Sequence, residues 1–250
     1  TITTTGCGAT SVTGTIKVQA QKITLSSGSA TQSSCINVPV SIGYTLSGTA
    51  DNASILTGLT GATSTLVGKV ITFNWTPTAA GSYPFTIVTS GTGCTPDTAK
   101  GTITVTEQTI KLSSAVLTDG QTVCVNSPIT TIKYTVGGTG TGATIIWAPH
   151  VPAGITSSFA SGIFQIIGIP TEAGPFSYVI TTTGTCAGVT ATGTFNVTPA
   201  ATIALASGPA NQTVCTGSPI VDIVYTVTDA TSAALISGAL PAGVTGTYDP

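Results

Sequence analysis

Residues 168–197, GIPTEAGPFSYVITTTGTCAGVTATGTFNV, recur in degraded form along the chain. A sequence that repeats itself at long period must fold as repeated units. Residues 75–105, WTPTAAGSYPFTIVTSGTGCTPDTAKGTITV, keep the same order: Pro-Thr, Ala-Gly, an aromatic pair, a Thr-Gly turn with a cysteine, then Gly-Thr and an apolar strand end. Another copy, TITTTGCGATSVTGTIKV, opens the chain at residues 1–18. The cysteines give the period. Those at 35, 124 and 215 are spaced by 89 and 91, and those at 7, 94 and 186 by 87 and 92.

A unit of about ninety residues is the size of an immunoglobulin-like sandwich. Its local patterns agree with strands. In KVITFNW, Val70, Thr72 and Asn74 alternate with Ile71, Phe73 and Trp75, as on a half-buried strand. About seven short strands per unit, separated by Gly, Pro, Ser and Thr turns and with no helical periodicity, predict an all-β fold: tandem immunoglobulin-like β-sandwich modules in an elongated array. Residues 21–108 and 109–200 read as complete modules. Residues 1–20 read as the C-terminal strands of a truncated repeat, and residues 201–250 as the N-terminal part of another. Completion of the part-modules between two chains leaves the stretch equivalent to residues 158–177 missing, so we read the chain as an excerpt.

Composition narrows the function classes. Only 6% of residues are charged, the net charge is −2, arginine is absent and the six lysines are scattered singly. That excludes a nucleic-acid backbone as partner, since such binding needs clustered cations. Mean hydropathy is +0.46, yet no apolar run approaches the ~20 residues that span a bilayer. Threonine, valine, isoleucine and alanine raise that average instead. Six cysteines with almost no histidine or acidic clustering point to disulfides in an oxidising compartment outside the cytoplasm.

Leu240-Pro241-Ala242-Gly243-Val244-Thr245, its variant Val151-Pro152-Ala153-Gly154-Ile155-Thr156, and Gly168-Ile169-Pro170-Thr171 with Ala173-Gly174 carry a resemblance. Together they resemble the bacterial immunoglobulin-like, cadherin-like or PKD-like repeats of very large Bacteroidota surface proteins. Within that group, long arrays are similar to gliding-motility adhesins exported by type IX secretion. The resemblance covers the whole chain and implies spacer modules of an extracellular, cell-surface stalk or filament, with neighbouring repeats as partners. The alternative readings are a carbohydrate- or surface-polymer-binding module, with surface polysaccharide or cell-envelope partners, and accessory domains of a secreted multidomain enzyme. The calcium-binding relatives carry DxNxD-type acidic clusters, which this sequence lacks. No metal or cofactor is therefore expected.

Two cysteine pairings fit the spacing. Cys35 with Cys94 and Cys124 with Cys186, 59 and 62 apart, give one bridge per module and leave Cys7 and Cys215 to pair outside the excerpt. Cys7 with Cys35, Cys94 with Cys124 and Cys186 with Cys215, 28 to 30 apart, tie neighbours instead. We take the first as the expectation, because in an extended array the last strand runs away from the hairpin cysteine.

Trp147 and His150 lie in IIWAPHVPAG, where the fourth unit has ISGALPAG, so this segment departs from the repeat. The pair is the candidate ligand loop, since an exposed aromatic ring can stack on a sugar; a tryptophan capping the sandwich core is the competing reading. His150 has no acidic partner nearby in sequence. Trp75 and the recurring Tyr44, Tyr134 and Tyr225 read as packing residues. The eight carboxylates form no close pair, and no GxSxG, CxxC, HExxH or phosphate-binding loop occurs, so no enzyme is read here. Sequons stand at Asn52, Asn74, Asn196 and Asn211, and Asp97-Thr98-Ala99 resembles the Bacteroidota O-glycosylation acceptor, with Thr98 as the candidate site.

Overall fold

A computed structural model describes residues 1–249 as strands, turns and loops with a single turn of 3-10 helix at Thr118–Gly120. Two compact units result: unit 1 is Thr1–Gln108 together with Thr185–Ala187, and unit 2 holds Thr109–Gly184 and the residues from Gly188 onward.

Unit 1 begins with a two-stranded hairpin, β1 (Ile2–Thr3) and β2 (Ser11–Val12). Eight strands follow: β3 (Gln21–Ser27), β4 (Thr31–Cys35), β5 (Val40–Gly48), β6 (Ala50–Thr57), β7 (Thr63–Val67), β8 (Val70–Trp75), β9 (Gly81–Gly91) and β10 (Thr98–Thr106). They form two four-stranded sheets in the orders β3-β5-β8-β7 and β4-β10-β9-β6. All pairings are antiparallel except β4 with β10, which is parallel. The early strands split between the sheets and the last strand lies beside one of them, which is the strand order of an immunoglobulin-type sandwich.

Unit 2 repeats the plan. Its strands are β11 (Gln108–Leu112), β12 (Thr122–Cys124), β13 (Ile132–Gly138), β14 (Gly140–Ala148), β15 (Ile155–Ala160), β16 (Ile163–Gly168), β17 (Gly174–Gly184) and β18 (Thr190–Thr198). The sheets are β11-β13-β16-β15 and β12-β18-β17-β14, again with one parallel pair, β12 with β18. A two-stranded sheet of β19 (Thr202–Ser207) and β20 (Val224–Thr228) follows.

Alternation decides what enters each core. On β8, Ile71, Phe73 and Trp75 point inward and Val70 and Asn74 outward, as the sequence pattern predicts. They meet Ile42, Tyr44 and Leu46 of β5 and Phe85, Ile87, Ile103 and Val105 of the opposite sheet. The equivalent core of unit 2 gathers Ile132, Tyr134, Phe164, Ile166, Tyr178, Ile180, Phe195 and Val197. Tyr44 and Tyr134 are 1% and 2% exposed, but Tyr225, at the same repeat position on β20, is 49% exposed. The packing role read from recurrence therefore holds where a second sheet covers the ring. On β3, Ile23 is buried and Leu25 is 41% exposed, just before the β3–β5 register shifts between Leu25 and Ser27.

Two of the segments that carried the resemblance, Val151–Thr156 and Gly168–Thr171, meet in unit 2. The Ile169 N–H donates to the Gly154 carbonyl at 3.1 Å and the Thr171 N–H to that of Ala153 at 2.9 Å. A Cβ on Gly154 would sit 2.0 Å from the Ile169 carbonyl oxygen, and one on Gly168 would sit 2.1 Å from that of Gly154. Both motifs are thus the two sides of one close backbone crossing that no side chain fits. Among the described residues, no helix is long and apolar enough to cross a membrane.

Candidate functional site

Trp147 sits on β14, directly opposite Tyr178 of β17, and not in a loop as the sequence reading placed it. The run Thr144–Ala148 continues the strand because each residue pairs with Ser177–Thr181. The half-buried indole lies 5.1 Å from the Tyr178 ring and meets Phe195 edge-on at 5.8 Å. A ring engaged on these contacts closes the aromatic end of the core, so the capping reading describes it. Replacing Trp147 by Ala is expected to lower the stability of unit 2 by about 2 kcal/mol through lost apolar burial. Urea unfolding followed by far-ultraviolet circular dichroism checks this; an unchanged midpoint would contradict the capping role.

His150 does lie in a loop, after Pro149, and the fold supplies the partner that its sequence neighbourhood lacks. Its Nε2 is 3.0 Å from Glu172 Oε1, and its ring stands edge-on to Phe176 at 5.9 Å. The same Glu172 oxygen accepts the Ala153 N–H at 2.8 Å. Glu172 therefore clasps the VPAG turn from the facing segment. The Ala153 N–H first, and then the imidazole, hold its carboxyl below the usual carboxylate value. Because the folded state favours the charged form, the clasp contributes above the ordinary carboxylate pKa and is lost as pH falls through the lowered folded value. The Ala153 amide resonance should titrate below the ordinary carboxylate range, and Glu172→Gln should abolish that step. A titration at the ordinary value would mean that the clasp is open in solution.

A surface depression of about 530 Å³ in the same unit is lined by residues including Gln121, Phe176, Phe195 and Asn196, none of its lining side chains ionisable. Among the described residues, no three His, Cys, Asp or Glu side chains converge as metal ligands. Thr98 is exposed at the start of β10, and its N–H donates to Asp97 Oδ1 at 2.9 Å. Asp97 also accepts the Ile23 N–H through Oδ2 at 3.0 Å, which ties the hairpin turn to β3.

The cysteines depart most from expectation. Cys35 is bonded to Cys186, with a Cα–Cα distance of 5.5 Å, and Cys7, Cys94, Cys124 and Cys215 are free thiols. The expected bridges Cys35–Cys94 and Cys124–Cys186 are absent, as are the three short-range alternatives. The reason is where each repeat holds its two cysteines. Cys35 ends β4 opposite Thr106, the last residue of β10, while Cys94 lies in the turn before β10 begins. Nine strand residues separate the two ends, roughly 27 Å at strand rise, against the 4.4–6.8 Å that a disulfide allows. Cys124, opposite Thr198, and Cys186, before Thr190, are separated by β18 in the same way. The parallel pairing that fixes these ends has no local sequence signature.

No protein-family model matches the chain, and no curated protein sequence matches it. Among solved structures, an E-to-A variant of a three-immunoglobulin fragment of titin aligns with a TM-score of 0.47 at 12% identity, over 74% of this chain and 68% of that one. An I-band fragment of titin aligns with a TM-score of 0.46 at 13% identity, over the same shares. Fibronectin(III)-like modules of CbhA from Clostridium thermocellum align with a TM-score of 0.30 at 15% identity, over 71% of this chain and 95% of that one.

Proposed function

We propose that these repeats are spacer modules of a long extracellular surface protein of the adhesin type, holding a distal partner away from the cell. The carrying observation is covalent: Cys35 in one repeat is bonded to Cys186 in the next, while a single residue, Glu107, separates the strand that ends the first repeat from the strand that opens the second. The bridge closes a loop of 151 residues, which on the chain-entropy model stabilises by roughly 5 kcal/mol. Both features suit a chain that transmits force. The gliding-motility and type IX secretion assignments are the finer part of the same reading and rest on the resemblance of the VPAGIT and GIPT segments.

Antibodies raised against residues 21–200 should label intact, unpermeabilised cells of the source, and small-angle scattering should show two modules in a restricted mutual orientation. Labelling only after permeabilisation would remove the surface assignment. Scattering of freely jointed modules would remove the spacer.

A further inference from the structure

Each complete repeat carries two cysteines, and each kind has its own fixed surroundings. The first kind ends the short parallel strand: Cys35 stands opposite Thr106 and Cys124 opposite Thr198. The second kind occupies the hairpin turn: Cys94 between β9 and β10, Cys186 between β17 and β18. The turn is held alike in both. Gln108 Nε2 donates to the Cys186 carbonyl, and Gln21 Nε2 donates to the Cys94 carbonyl. The Cys186 sulfur lies 3.5 Å from the carbonyl of Thr106, two residues before Gln108. The Cys94 thiol donates at 3.2 Å to the carbonyl of Gln19, two residues before Gln21. Cys94 thus faces the chain entering its own repeat in the way that Cys186 does, and that is the place where Cys186 meets Cys35.

We infer from this register a pairing rule: the strand-end cysteine of one repeat bonds the hairpin cysteine of the repeat that follows it. Cys124 and Cys215 are sites for the hairpin thiol of a following repeat of this type, and Cys94 and Cys7 are sites for the strand-end thiol of a preceding one. The thiols are placed for it, since Cys124 is exposed, Cys94 is partly exposed, and neither has a disulfide partner among the described residues. The partner repeat belongs either to the same polypeptide or to a second copy of this chain; the chemistry is the same. A thiolate attacks an oxidant disulfide such as oxidised glutathione, releasing one thiol and leaving a mixed disulfide. The second cysteine thiolate then displaces the other glutathione. The two cysteines lose two protons and two electrons, and the oxidant leaves as two thiols.

Successive bridges under this rule overlap, because Cys124 lies between Cys35 and Cys186. The path from bridge to bridge runs through the 29 residues from Cys186 to Cys215. An array built this way is a covalent ladder in which any one bond can open without releasing the chain. The rule rests on the Cys35–Cys186 bond and the repeat register, and not on the spacer reading, so surface labelling can fail while the rule holds.

The test is the full chain extended by a second copy of residues 109–200 placed after position 200, with Thr185→Ser in the added copy to mark its hairpin peptide. It is refolded at low concentration in a glutathione redox buffer and mapped by non-reducing peptide mass spectrometry. The expected links are Cys35 to the first-copy Cys186, and the first-copy Cys124 to the marked hairpin cysteine, in a monomeric species. Covalent oligomers carrying the strand-end to hairpin link assign the partner to a second copy of the chain and keep the rule. A link from Cys124 to Cys186 of its own copy overturns it. So does a free Cys124 beside an oxidised Cys35, or failure of the Cys35–Cys186 bond itself. The same map on Cys35→Ser should retain the Cys124 link, which separates the rule from any effect of the first bond on folding.

Discussion

Pulled from its two ends with the Cys35–Cys186 bond closed, the chain should extend about 500 Å less than the same chain after reduction. The closed loop holds 151 residues, and each contributes at most 3.3–3.6 Å when fully extended. Tension entering at the N-terminus passes along β3 and β4 to Cys35, crosses the sulfur bond and leaves from Cys186 through β18. Strands β5 to β17 lie inside the loop and carry none of it. Their buried side chains, from Ile42, Tyr44 and Phe85 in unit 1 to Ile166 and Tyr178 in unit 2, make up most of both cores. Force spectroscopy of the oxidised chain should therefore show peeling of terminal strands but no unfolding step the size of a whole module. Reductant should restore two such steps, each roughly 300 Å for a unit of about ninety residues. Equal contour lengths before and after reduction would mean that the bond does not form in solution. A reduced chain that unfolds in one step would mean that the modules do not unfold separately.

What could be read from the sequence follows the range of the interaction. Strand identity on β8 was legible because alternation at Ile71, Phe73 and Trp75 is a local property of a half-buried strand. Module length was legible because the cysteine and Gly-Thr positions recur. The disulfide was not, since its geometry follows from the parallel pairing of β4 with β10, partners about seventy residues apart in the chain. Spacing counts residues but does not say at which end of a sandwich each cysteine stands. The loop placement of Trp147, though not that of His150, fails for a related reason. The segment departs from the repeat in sequence, which suggests a loop, whereas register with Tyr178 keeps Trp147 on a strand. Glu172, 22 residues from His150, became its partner through the crossing of the VPAG and GIPT segments. A hint was available in the placement of Glu172 directly after Gly168-Ile169-Pro170-Thr171, but its target was not.

The recurring Gly-Thr pair marks a position in each repeat where a side chain would meet a buried ring. Gly101 on β10 lies opposite Phe85 of β9, and Gly193 on β18 lies opposite Tyr178 of β17. In both repeats the aromatic ring lies over the glycine. A Cβ on Gly101 would sit 2.4 Å from Phe85 Cζ and 2.2 Å from the Ala30 carbonyl oxygen. One on Gly193 would sit 2.2 Å from the Tyr178 hydroxyl oxygen and 2.9 Å from the Asp119 carbonyl oxygen. The rings cannot swing away cheaply: Phe85 and Tyr178 are each 2% exposed, and the Tyr178 hydroxyl is 3.2 Å from that of Tyr134. Burial also pushes the Tyr178 hydroxyl well above its usual pKa. Overpacking of this kind costs about 1–3 kcal/mol in a well-filled core. Here backbone oxygens stand on the far side as well, so Gly101→Ala and Gly193→Ala should each fall at or beyond the upper end, lowering the melting temperature of the affected module by roughly 10–20 °C. The effect should be confined to the mutated module, which a two-transition thermal scan of the reduced chain resolves. Adding Phe85→Leu should return part of the loss in Gly101→Ala by removing the ring edge while leaving the Ala30 contact. If Gly101→Ala melts like the parent, the ring does not cover the glycine in solution, and the recurrence of Gly-Thr must have another cause.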